Sequence, residues 1–107
     1  MALHGRNTLK ALQHGVDTLT PFTAGNVKGV VGDTDTGQMP DEIAQYYRVS
    51  AREGAIAYTV LSYATPIAWR LIDGRWVQPV VRYSVTTTGH QSRVAAAIGS
   101  YLTIPAR

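Results

Sequence analysis

Residues 58–91 read YTVLSYATPIAWRLIDGRWVQPVVRYSVTTTGHQ and contain both tryptophans of the chain. In this stretch two runs rich in β-branched and aromatic residues flank Asp73-Gly74, and such residues favour strands. An Asp-Gly pair between two β-rich runs is typical of a two-residue hairpin turn. The stretch therefore predicts an antiparallel hairpin at the centre of a sheet.

The register of that hairpin predicts which side chains enter the core. With a two-residue turn, Leu71 lies opposite Trp76, and Trp69 lies opposite Gln78. Side chains of a strand alternate between the two faces of the sheet, so both tryptophans are expected on one face, the core face. Pro79 has no amide donor and predicts a bulge or a sheet edge beside it.

The remaining elements follow from capping patterns and periodicity. Pro40 and the two carboxylates after it predict the start of a helix that runs to Arg52. Thr88 with Gln91 three residues later forms a capping box, which predicts a second helix from Thr88 to Ile98. Strands are predicted over residues 18–23, 27–31, 55–63 and 67–72, and from Trp76 past Pro79 to Thr86.

These elements predict an α+β fold in a single domain. Its antiparallel sheet is expected to have four to five strands, mostly sequential neighbours, with the two helices packed on one face. The domain is predicted to span residues 1–107, with residues 1–17 and 103–107 partly frayed. A short helix over Leu9–His14 is expected to end at Gly15.

Composition narrows the functional classes. The chain has 107 residues, 45% of them hydrophobic and none of them cysteine, which indicates one globular domain without disulfides or thiolate sites. No apolar run reaches the ~18 residues of a membrane helix, and no secretory signal is recognised. Asp33 and Asp35 resemble the start of a calcium loop, but Ala44 stands where that loop needs a bidentate glutamate. We therefore predict no cofactor, no metal and no membrane association.

Charge is divided unevenly along the chain. Residues 1–57 carry five basic and six acidic side chains, whereas residues 58–107 carry five arginines against Asp73 alone. The second half therefore has a net charge of +4, all of its cations being guanidinium groups. Guanidinium binds phosphate and carboxylate oxygens in bidentate fashion, so this half suits an anionic partner. Ordinary surface solubility is the alternative explanation for the same charges.

One polar cluster could bind such a partner. A helix that starts at Thr88 would aim free amides outward beside hydroxyl and guanidinium groups, and such a helix start is a ready anion site. Phosphate is the anion that these groups usually contact in nucleic acids. The candidate nucleic-acid-binding residues are Arg70, Arg75, Arg82, Thr86, Thr88, His90, Gln91 and Arg93. The same pattern is also explained by helix capping alone, with His90 a surface residue of the first turn.

Two further functions remain open. His90 beside an arginine and a tyrosine could cleave RNA without a metal, as a general acid or base, although the sequence has no recognised catalytic motif and we assign no catalytic residue. A tryptophan exposed on the surface would indicate an interface with a host protein. An edge strand beside Pro79 could pair with a second copy, so the protein is expected to be a monomer or a homodimer.

Three blocks of the sequence resemble a known group of proteins. They are FTAGN at Phe22–Asn26, the SYATPIAW core within Tyr58–Trp69, and RYSVTTTGHQ at Arg82–Gln91. Together they resemble a family of short actinobacteriophage proteins and cover under half of the chain. The resemblance implies a phage-encoded accessory protein in the host cytoplasm, and it implies no activity. The sequence as a whole thus predicts a non-enzymatic binding protein with DNA or RNA as its first candidate partner.

Overall fold

Six strands form one sheet in the order in which they occur along the chain. The computed structural model describes residues 6–81 and 85–105. The elements are α1 (Arg6–Thr18), β1 (Phe22–Ala24), β2 (Val27–Val31), α2 (Asp41–Arg52), β3 (Ile56–Ser62), β4 (Thr65–Leu71), β5 (Trp76–Val80), α3 (Val85–Ile98) and β6 (Leu102–Pro105). Neighbours from β1 to β5 are antiparallel, whereas β6 is parallel to β5 and reaches it through α3.

This architecture confirms the predicted α+β class and the sequential order of strands. The sheet has six strands, however, so the prediction of four to five was wrong. The strand that was not predicted is β6. It has four residues, follows a helix and ends at a proline, so its sequence gives little indication of a strand. Because β6 pairs with β5, with Pro79 opposite Ile104, the edge beside Pro79 is covered by this chain itself.

The sheet is buried on both faces, so the prediction that the helices pack on one face was also wrong. One apolar cluster joins α2 to the sheet through Ile43, Tyr47 and Trp69. The other cluster lies on the opposite face, where Val16 of α1 and Val94 of α3 pack with the strands. Every residue of β3 except Ala57 is buried, which is the pattern of a strand covered on both sides.

The two tryptophans lie on opposite faces because the β4–β5 loop is one residue longer than predicted. The Leu71 amide donates to the Arg75 carbonyl at 2.8 Å, which leaves three residues in the loop. Gly74 closes that loop with a φ of +94°, the left-handed conformation that such three-residue hairpins require. Trp76 therefore lies opposite Arg70 and not opposite Leu71. A slip of one residue turns a side chain to the other face, so Trp76 packs with α1 and α3 while Trp69 packs with α2.

The Tyr47 hydroxyl ties α2, the sheet and the connector before α2 together. It lies 2.7 Å from Thr59 Oγ1 and accepts a 2.9 Å bond from the Thr34 amide. Thr59 in turn donates to the Gly32 carbonyl at 2.8 Å, so its own proton is used and Tyr47 donates to it. The ring of Tyr47 stands edge-on to Trp69 at 4.9 Å. The connector between β2 and α2, residues 32–40, is therefore anchored to the sheet and to α2 through Gly32 and Thr34.

Removal of the Tyr47 hydroxyl should destabilise the fold. Tyr47→Phe leaves the Thr34 amide without its acceptor and Thr59 Oγ1 without its donor, and such losses cost about 1–3 kcal/mol. Tyr46→Phe is the matched control, because Tyr46 is the neighbouring tyrosine of α2 and is 61% exposed. The free energy of unfolding in urea should fall for Tyr47→Phe only. An equal effect of the two substitutions would contradict the anchoring role of Tyr47.

Candidate functional site

Helix α3 begins at Val85, so Thr88 lies inside the helix and is not its N-cap. The predicted capping box of Thr88 and Gln91 was therefore wrong. Val85 and the threonines after it are β-branched and favour a strand locally, which placed the predicted helix start three residues too late. Arg82 lies outside the described residues, as does the rest of the segment that precedes the helix.

His90 fastens α3 to the hairpin between β3 and β4. Its Nδ1 lies 2.7 Å from Ser62 Oγ, and the Ser62 hydroxyl also donates to Thr87 Oγ1 at 3.1 Å. A serine hydroxyl has one proton, so a bond donated to Thr87 requires that His90 Nδ1 carries a proton and donates to Ser62. In the neutral ring this arrangement places the free lone pair on Nε2.

Burial indicates that the hydrogen bonds between His90, Ser62 and Thr87 stabilise the fold. His90 is 5% exposed and Ser62 is 1% exposed, so neither group lies open to a substrate. Burial lowers the pKa of His90, and the nearby guanidinium of Arg93 lowers it further. The imidazole is therefore held neutral and hydrogen-bonded, which favours a clamp between helix and hairpin over a general acid or base.

The hairpin beneath His90 is itself unusual. Ser62 pairs with Thr65, so Tyr63 and Ala64 form a two-residue turn in which Tyr63 has a φ of +56°. That conformation favours glycine, and a tyrosine keeps it only where its surroundings hold it. The Tyr63 amide donates to the Asn26 carbonyl at 2.8 Å, and the Tyr63 ring lies 6.0 Å from that of His90. Segments from all three blocks that carry the resemblance thus meet at this end of the sheet.

The predicted arginine patch is split between the two ends of the sheet. Arg70 and Arg75 lie at the β4–β5 hairpin, whereas His90 contacts Ser62 at the β3–β4 hairpin. The two hairpins are separated by the length of β4, about 20 Å at ~3.3 Å per residue. Arg75 is bound to Asp73 through a 2.7 Å ion pair, and this pairing lowers the pKa of the Asp73 carboxyl.

Arg70 is also engaged by its neighbours. Its guanidinium carbon lies 5.8 Å from the centre of the Trp76 ring, a cation–π arrangement. Trp76 is only 6% exposed, so Arg70 covers one edge of the core as well as carrying charge. Arg70 and Arg75 therefore have structural partners of their own, and they do not extend the surface around α3.

The predicted residues that stay together lie on the outward side of the first turns of α3. Thr86, Thr88 and Arg93 are exposed there, and Gly89 lies between them. The Arg93 guanidinium lies back over Gly89, since a Cβ built on that glycine would be 3.3 Å from it. No carboxylate occupies the first turn. We call this surface the outer α3 face and define it by Thr86, Thr88, Gly89, Ser92 and Arg93.

A cleft borders this face, between α3 and the strands β5 and β6. We call it the α3 cleft; its volume is about 370 Å³. Its lining combines neutral polar and apolar side chains from Gln78, Pro79, Val81, Thr88, Gln91, Ser92, Ala95, Tyr101 and Thr103. Only Thr88 and Gln91 were among the predicted site residues. The one feature of the sequence that could have indicated the cleft is Gln78, a polar residue in an otherwise apolar strand.

The part of the chain that the structure describes forms neither a metal-binding cluster nor a membrane-spanning helix. Within residues 6–81 and 85–105, no group of three or more histidine and carboxylate side chains could hold a metal ion. No helix over the same residues has the length and apolarity needed to cross a membrane. The fold and the site thus define a small α+β domain in which one helix presents a basic, hydroxyl-rich face and a neutral cleft.

Comparison with known proteins places the chain in a family. Residues 11–102 match the model of the family of unknown function DUF8033. Because the match covers most of the sequence, the chain belongs to this family. No curated protein and no solved structure gives a significant match. The family carries no activity that could be transferred to this chain, so function has to be argued from the site.

The buried imidazole predicts a pH dependence of stability. Because the folded state lowers the pKa of His90 below its ordinary 6.5, the unfolded state binds more protons, and stability falls as the pH decreases below about 6.5. His90→Gln removes this titration. Chemical denaturation from pH 7.5 to 5 should therefore show a steeper loss in the wild type than in His90→Gln, since carboxylates contribute equally to both. Parallel profiles would contradict a neutral, buried His90.

Proposed function

We propose that the protein is a non-enzymatic binding protein that contacts nucleic-acid phosphates through the outer α3 face. The observation that supports this proposal is the make-up of that face, in which exposed hydroxyls and one guanidinium surround a glycine near the positive end of the helix. Hydroxyls, backbone amides and arginine are the groups that contact phosphate in nucleic acids. Gly89 has no side chain, so a phosphate that contacts Arg93 can lie close to the helix surface there.

The charge balance around the face supports the same partner. Asp73 is the only carboxylate of residues 58–107, and its partner is Arg75. Among the described residues no carboxylate forms an ion pair with Arg93. The guanidinium of Arg93 therefore adds to the helix dipole without being neutralised, and both favour an anion at this end of α3.

The alternatives gain less support from the described residues. An RNase would use His90, which is buried and hydrogen-bonded to Ser62. A host-protein interface was expected if a tryptophan were exposed, whereas Trp69 and Trp76 are 1% and 6% exposed. The proposal further includes a phage-encoded accessory role in the host cytoplasm, for which the three sequence blocks that resemble actinobacteriophage proteins are the support.

Replacement of Arg93 should weaken nucleic-acid binding without regard to sequence. Arg93→Ala removes one cation from the outer α3 face, so the slope of log affinity against log salt should become shallower by about one. The measurement is a fluorescence titration of the purified protein with labelled duplex and single-stranded DNA at several salt concentrations. The affinity should fall for all sequences alike, because a phosphate contact does not read bases.

Arg75→Ala is the matched control for that measurement. It removes the same charge, but from a guanidinium that is already paired with Asp73 at the other end of the sheet. Its salt slope should equal that of the wild type. Equal losses in the two variants would show a general effect of net charge, and no binding by the wild type at low salt would remove nucleic acid as the partner.

A further inference from the structure

We infer that the α3 cleft receives one unstacked base of a single-stranded nucleic acid whose phosphates lie on the outer α3 face. This inference rests on the function proposed above and adds a reason for a preference between single strands and duplexes. The cleft and the outer face share Thr88 and Ser92, so a strand that follows the face passes the mouth of the cleft. The cleft volume of about 370 Å³ lies within the range of small-molecule sites.

The polar anchor of the cleft is Gln78, which is 5% exposed. Its Nε2 donates to the Gln91 carbonyl at 3.0 Å. A carbonyl oxygen can only accept, so this bond fixes the orientation of the amide and leaves Oε1 as an acceptor. Within the described residues no donor contacts Oε1. A buried acceptor without a donor is costly, and a ligand N–H group would satisfy it.

The remainder of the lining suits a flat, neutral heterocycle. Tyr101 stands at the cleft with 39% of its surface exposed, and an exposed aromatic ring can stack on a base. The cleft is lined by no charged side chain among the described residues. Pro79, Val81 and Ala95 supply apolar surface, whereas threonine, serine and glutamine supply hydrogen bonds at its border. A phosphate or a carboxylate would find no cation inside, so the base is the part of a nucleotide that fits.

The hydrogen-bond acceptor Gln78 Oε1 distinguishes single-stranded nucleic acid from a duplex. Thymine, uracil and guanine carry an imino N–H on their Watson–Crick edge, and base pairing in a duplex uses that donor. Gln78 Oε1 can therefore be reached by the imino group of such a base in a single strand but not in a duplex. Recognition of single strands by splayed bases beside an aromatic ring follows the same physical logic.

The test compares an oligothymidylate with an abasic oligomer of equal length, so that phosphate charge is constant and only the bases differ. The purified full-length protein should bind the oligothymidylate about tenfold more tightly, the contribution of one stacked base. Gln78→Leu and Tyr101→Ala should each bring the two affinities together. Tyr46→Ala, which removes an exposed tyrosine on the opposite layer, is the control and should keep the difference. An oligomer of N3-methylthymidine, which lacks the imino donor but can still stack, should bind the wild type more weakly than the oligothymidylate.

The outcomes separate this inference from the function on which it rests. Equal affinity of the wild type for the abasic and the thymidine oligomers overturns the base site but leaves phosphate binding in place. Absence of binding to either oligomer at low salt overturns both. Should Gln78→Leu fail to fold by circular dichroism, Tyr101→Ala and the N3-methylated oligomer still decide the matter, since neither alters a buried residue.

Discussion

Burial of the two central strands on both faces is the constraint on which the rest of the structure depends. Strands β3 and β4 expose almost none of their residues, so each face of the sheet needs its own cover. The two tryptophans meet this need from opposite sides, Trp69 with Tyr47 beneath α2 and Trp76 with Tyr58 beneath α1 and α3. The helices α1, α2 and α3 are therefore held against the sheet by these clusters. Helix α3 lies beside β5 and β6, which forms the α3 cleft and leaves the outer α3 face exposed.

Much of the fold could be predicted from local patterns, whereas the errors arose where a local pattern permits two structures or where a long-range pairing decides. The hairpin of β1 and β2 and the helix that starts after Pro40 have strong local signals, and both occur in the structure. The face of Trp76 depended instead on whether the loop at Asp73-Gly74 held two or three residues, which the same dipeptide permits. Strand β6 exists because β5 offers it a parallel partner, and four residues ending in proline do not encode that pairing by themselves.

For the candidate site, the sequence predicted a segment of the chain but not the placement of its side chains. Residues 86–93 are hydroxyl-rich and basic in the sequence itself, yet the sequence could not show that His90 turns inward to Ser62 while Arg93 stays outside. That distinction depends on where the helix starts, because each position along a helix rotates the side chain by about a quarter turn. Gln78 and Tyr101 were missed for a related reason, since they reach the site only through the pairing of β5 with β6.

Helix α3 places a structural contact and an exposed charge on different sides. His90 faces the hairpin and helps to hold the helix, whereas Arg93, one turn away, is exposed and unneutralised. The two residues are still coupled, because the guanidinium of Arg93 contributes to the low pKa of the imidazole. An anion bound beside Arg93 would offset that positive field and make protonation of His90 easier. Protonation would place a charge on Nε2 inside the fold without removing the Nδ1–H bond to Ser62, so its cost would come from burial of the charged ring.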